Sequence, residues 1–190
     1  YLVAADGWQA TTYRIIEKDK KGKEKDKGWA CDLLPKPLIV ARYFAAEQAA
    51  IEQLGADLES AATQLAELEE EHGGEDDVFA GFDKINAVGV KDRIKEIGKV
   101  SAEDTDAADE LAVLQRWLAL AGEETALKKR LREAEAELDL KAYAHYPTLS
   151  QTEVKTLIVE DKWLAALDAA IHGEMDRVSQ ALTGRVRELA

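Results

Sequence analysis

Only one cysteine, Cys31, occurs in 190 residues, so no intrachain disulfide can form and a four-thiolate metal site is excluded. A reducing, cytoplasmic setting fits that usage. No apolar run approaches the roughly 18 residues of a membrane span, and no charged-then-apolar leader opens the chain. Neither a membrane segment nor a signal peptide is expected. Lys and Arg number 25 against 38 Asp and Glu, for a formal net charge of -13. Such a balance argues against wrapping a phosphate backbone, which needs clustered cations. The three histidines, His72, His145 and His172, show no H-x-x-x-H spacing and have no C-x-x-C partner. They are expected to cap helix ends, where a partly cationic ring complements the dipole, and no metal site is expected.

What is present is an ordinary foldable composition, 46% apolar and 33% charged. The chain is organised around residues 37–72. From Ile51 the apolar positions run through Leu54, Leu58, Ala61, Leu65 and Leu68, a heptad seam that turns one narrow stripe toward a partner helix. A helix over 44–72 would be about 43 Å long. Pro35 and Pro37 bring the chain in extended, and Gly73-Gly74 supplies a helix stop. Residues 44–83 hold twelve Asp or Glu and no Lys or Arg, which makes the outer face anionic and solvated. Glu69, Glu70, Glu71, Glu75, Asp76 and Asp77 lack the alternating spacing of a calcium loop and read as an acidic helix end.

A second long helix is expected over 105–146, on Val113, Trp117, Leu120, Glu124, Leu127, Leu131, Ala134 and Leu138. The two would zip antiparallel, with the six basic residues of the second facing the acids of the first. Residues 75–104 form the tip, with one or two short helices on Val78, Phe79 and Phe82, then on Val90, Ile94 and Ile97. Gly89 and Gly98 bound the latter.

Ahead of the helices, 8–17 is β-branched and aromatic, 18–27 is almost all Lys, Asp and Glu, and 28–34 is apolar again. This reads as a β-hairpin with a mobile charged tip, Trp8 and Trp29 packing across it. The first 43 residues carry nine basic and six acidic residues, net +3, which leaves -16 for the rest. Lys18, Lys20, Lys21 and Lys23, with Arg185 and Arg187, are weak candidates for DNA contact, because the tip lysines alternate with acids as in a solvated loop.

At the other end, Ser150 and Glu153 form a capping box, and Leu149 and Val154 a hydrophobic staple. Asp161 is expected to cap a last helix carrying Trp163, Leu164, Leu167, Ile171, Met175, Val178, Leu182, Val186 and Leu189. From Leu167 its apolar steps are four, four, three, four, four, three, an eleven-residue repeat with a broad apolar face. Ile171, Met175, Val178, Leu182, Val186 and Leu189 are the candidate partner-binding residues. The four tryptophans are expected in the core, and Cys31 buried. Neither G-x-S-x-G nor a Cys with a His partner occurs, and Phe79-Ala80-Gly81-Phe82 has too few glycines for a nucleotide loop. No catalytic or cofactor-binding residue is assigned.

The fold expected is mainly α: a long antiparallel, coiled-coil-like helical hairpin plus C-terminal helices, with a small N-terminal β-hairpin. The chain opens on Tyr1 and stops within a helical pattern, as a piece of a longer protein would.

The stretches DKGWACDLLPKPLIVARYFAAEQAAIEQL (26–54), DELAVLQRWLAL (109–120) and DKWLAALDAAIHGEMDRVSQALTGRVRELA (161–190) resemble the C-terminal part of the methyltransferase (M) subunit of bacterial type I restriction-modification systems. The resemblance implies a parent that transfers a methyl group from S-adenosylmethionine to N6 of adenine in DNA. The family's cofactor loop and its Asn/Asp-Pro-Pro-aromatic motif are missing here, so no catalysis by these residues is expected. It further implies that 1–36 are the tail of the catalytic domain and 37–190 a helical assembly domain. The implied partners are the specificity (S) subunit and, through the parent complex, DNA. Two other readings are a self-associating coiled-coil scaffold and a direct DNA-contacting module.

Overall fold

A computed structural model of the chain describes residues 3–4, 7–20, 22–75, 77–98 and 105–189, the side chains of 105, 188 and 189 excepted. Tyr1, Leu2, Asp6, Lys21 and Asp76 therefore lie outside the described residues. The fold is mainly α, as expected, with one antiparallel β-hairpin near the N-terminus. Two compact units divide it: residues 1–48 with 138–190, and residues 49–137.

In the first unit the hairpin comprises β1 (Tyr13–Lys18) and β2 (Glu24–Ala30). These strands sit later in β1 and earlier in β2 than the expected arms, and they absorb half of the charged run that was expected to be a mobile tip. The alternating signs are the reason: they face each other across the ladder, as Lys18–Glu24 at 3.8 Å and Lys27–Glu17 at 3.2 Å. Asp19 closes the turn, its carboxylate accepting the Lys23 N–H at 3.0 Å. Between the pairs Arg14–Trp29 and Ile16–Asp26 one residue of β1 faces two of β2, and Gly28 takes a φ of 103° at that bulge.

Helix α1 (Lys36–Tyr43) starts after Pro35 with Pro37 in its first turn, and α2 (Ala45–Glu71) follows. The single helix expected over 37–72 is thus broken at Phe44, where φ is -132° and ψ 29°. Tyr43 and Phe44 both pack on the His145 ring, at centroid distances of 4.3 and 5.6 Å. Consecutive side chains on a straight helix diverge by about 100°, so both reach one ring only if the backbone bends between them.

The second unit contains most of α2, helix α3 (Ala87–Ile97) and the first four-fifths of helix α4 (Thr105–His145). Leu65 and Leu68 of the expected seam pack with Leu114, Trp117 and Leu120. Trp117 Nε1 donates to Glu69 Oε1 at 2.7 Å, so the end of α2 meets the beginning of α4, as antiparallel helices require. Only turns occupy 77–81, where a first short helix was expected. Asn86 caps α3 by accepting the Val88 and Gly89 N–H groups at 3.1 and 3.0 Å. Gly89 therefore lies inside the helix it was expected to bound. A Cβ there would stand 3.4 Å from the Phe82 ring. The lysines of α4 correct another expectation: Lys128 and Lys129 pair within their own helix, with Glu124 and Glu133, and Lys141 is the one paired with α2, at Glu47.

The first unit's core joins Cys31, Leu34, Ile39, Tyr146, Val154, Leu157 and Ile158. After the single turn Tyr146–Thr148, the capping box of Ser150 and Glu153 opens α5 (Gln151–Thr156). A π-helical segment (Leu157–Leu164) then leads without a break into α6 (Ala165–Leu189). Asp161 consequently lies inside a continuous helical rod and caps nothing. His172 likewise sits within α6, its ring 3.0 Å from the Asp168 carbonyl, instead of at a helix end. No helix among the described residues is long and apolar enough to cross a membrane.

Candidate partner-binding surface

Every described side chain from Trp163 to Arg187 is exposed, although the chain places an apolar residue there at each expected step. Leu167, Ile171, Met175, Val178, Leu182 and Val186 line one face, with Leu182 60% and Val186 66% exposed. Leu189 completes the pattern in sequence, but its side chain lies outside the described residues. A face this long on a helix with no neighbour among the described residues is an unsatisfied apolar surface, since an isolated helix of this kind is marginal in water.

The base of the helix is firmly held. Leu157 and Ile158 are buried in the first unit's core. One turn further along, Asp161 accepts from Arg42 Nη1 at 2.6 Å, and Lys162 Nζ donates to the Leu33 carbonyl at 3.2 Å. Trp163 was expected in the core. It is instead 52% exposed, its ring 6.4 Å from that of Trp8. Trp8 and Trp29 do not pack on each other as expected: Trp29 turns to Tyr143 and Tyr146, at 5.3 and 5.1 Å, and donates to Asp139 at 2.9 Å. The bulge in β2 and the start of α1 thereby dock on the end of α4, which positions the root of α6.

Two carboxylates in this anchoring region are displaced from their ordinary range. Hydrogen bonds from the Ser150 hydroxyl and backbone N–H hold Glu153 below it. Burial alone would raise Asp139, but hydrogen bonds from Lys36 and Trp29 outweigh that and hold it low. A group depressed on folding contributes stability above its unfolded pKa, about 4, and loses it as pH falls through the folded value. Thermal melts followed by circular dichroism should therefore move to lower temperature as pH drops below about 4. Glu153→Gln with Asp139→Asn should flatten that dependence.

The weak DNA candidates are not assembled into a site. Lys18, Lys20 and Lys23 are exposed on the hairpin, among Glu17, Asp19 and Glu24, and Arg185 and Arg187 are exposed on the last turns of α6. No described contact joins the two groups, and Lys21 lies outside the described residues.

A cavity of about 780 Å³ opens in the second unit, walled by Asp77, Asp92, Glu96, Asp109 and Glu110 around Arg93. Arg93 is already engaged by both carboxylate oxygens of Glu110, at 2.7 and 3.2 Å. Among the described residues no group of three or more His, Cys, Asp or Glu is arranged to hold a metal ion.

The periodicity found the apolar face of α6. What it missed is that Trp163, expected in the core, is presented to solvent at the root of the helix. The widened π turn rotates every later side chain relative to the buried Leu157 and Ile158, and residue spacing carries no mark of that rotation. No family model, curated protein or solved structure matches the chain.

Proposed function

We propose that this chain is the C-terminal helical module of a type I restriction-modification methyltransferase subunit. In this reading it joins the catalytic domain to the DNA-specificity subunit and carries out no catalysis itself. The observation that carries the assembly role is the unpartnered stripe Leu167–Ile171–Met175–Val178–Leu182–Val186, exposed along a helix whose base is anchored in a core. Recognition by a helix in a bundle needs regularly spaced apolar anchors on a rigid element, and α6 supplies them. The resemblance of residues 26–54, 109–120 and 161–190 to the C-terminal region of such methyltransferases supports the choice of partner. The parent would be an S-adenosylmethionine-dependent adenine-N6 methyltransferase acting in the cytoplasm, and DNA would be met through the assembled complex.

A direct DNA-contacting role is less favoured, because the hairpin lysines are interleaved with and paired to carboxylates. Co-expression with the specificity subunit encoded beside the parent tests the proposal. A complex that survives size-exclusion chromatography is expected, and separate elution of the two would reject it.

A further inference from the structure

The apolar stripe of α6, counted with Leu164 just ahead of it, reads the same from both ends. Leu164, Leu167, Ile171, Met175, Val178, Leu182, Val186 and Leu189 are spaced three, four, four, three, four, four, three. Reversing that series about the midpoint between Asp176 and Arg177 returns it unchanged. Leu167 maps onto Val186, Ile171 onto Leu182 and Met175 onto Val178.

The charges follow the same axis with opposite sign. From Ala165 to that midpoint the helix carries Asp168, Glu174 and Asp176 and no Lys or Arg. Beyond it stand Arg177, Arg185, Arg187 and Glu188. Reversal also brings Asp168 level with Arg185. A helix whose apolar steps are palindromic and whose halves carry opposite charge is complementary to its own inverted copy, as a two-fold interface demands. Parallel pairing would instead set acidic half on acidic half and arginine on arginine.

We infer that the face of α6 pairs antiparallel with the same face of a second copy of this chain, about a two-fold axis between Asp176 and Arg177. The dimer covers the residues from Leu167 to Val186 that the single chain leaves in water. It uses the stripe assigned above to the specificity subunit, so the two partners exclude one another and the dimer is the form the chain takes before assembly. The inference itself rests on the symmetry of α6 and stands whether or not that subunit is the eventual partner.

Sedimentation equilibrium of the chain alone should show a reversible monomer–dimer system. Leu182→Asp should weaken it by roughly a hundredfold or more, the order expected for an unpaired charge in a dry interface. Nitroxide labels on Ser179→Cys or Ala165→Cys, each with Cys31→Ala, report direction. The antiparallel pair offsets the two Ser179 labels by about 8 Å along the axis and the two Ala165 labels by about 35 Å. A monomer at every concentration, a dimer indifferent to Leu182→Asp, or equally short distances for both label pairs would each overturn the inference. None of these results bears on co-elution with the specificity subunit, which is read separately.

Discussion

Trp117→Ala is expected to lower the unfolding free energy by about 3–5 kcal/mol, the range for removing a large buried aromatic side chain. Trp117 is buried between Leu68 of α2 and its own neighbours Leu114 and Leu120, and its indole N–H is taken by Glu69. Truncation opens a cavity at the closure of the helical hairpin and leaves the Glu69 carboxylate without that donor. Chemical denaturation followed by far-ultraviolet circular dichroism measures the loss. Trp163→Ala supplies the contrast: its ring is half exposed, and the change should stay within about 1 kcal/mol, as is usual for surface positions. Equal losses for the two would contradict the division between a buried and a presented tryptophan.

Leu182→Asp combined with Val186→Asp is expected to abolish co-elution with the specificity subunit. Both side chains are more than half exposed, so two carboxylates there cost the single chain little. In a bundle the same carboxylates would be desolvated without partners, a penalty of several kcal/mol each and enough to remove a micromolar or tighter complex. At concentrations where the parent chain is monomeric, the far-ultraviolet spectrum and melting temperature of the variant chain should stay close to those of the parent chain. Loss of the fold would mean that α6 contributes to the chain's own core. Retained co-elution would move the partner to another face.

Much of the architecture was legible from residue spacing. The seam from Ile51 to Leu68 is half-buried or buried at each step, and the Ser150–Glu153 capping box forms with both of its hydrogen bonds. Both signals are local, set by residues three or four apart. Two of the failures involve groups distant in sequence, and one does not. Nothing near Phe44 marks a helix break, because the cause is the His145 ring about a hundred residues later. Gly89 looked like a boundary, yet the cap is Asn86 and the glycine lies within the helix, against the Phe82 ring. Asp161 had the composition of a cap, but Arg42 claims its carboxylate while the backbone runs on in a π turn. The candidate surface was legible as a pattern and not as an exposed face: periodicity shows that residues share a stripe, never whether the chain itself covers it.

Hydrogen exchange on the dilute, monomeric chain tests the central claim most directly. Backbone amides of residues 167–186 should exchange orders of magnitude sooner than those of residues 114–127, because no other element among the described residues shelters α6. Protection in α6 equal to that around Trp117, at concentrations where sedimentation finds only monomer, would show the stripe already covered and contradict the account.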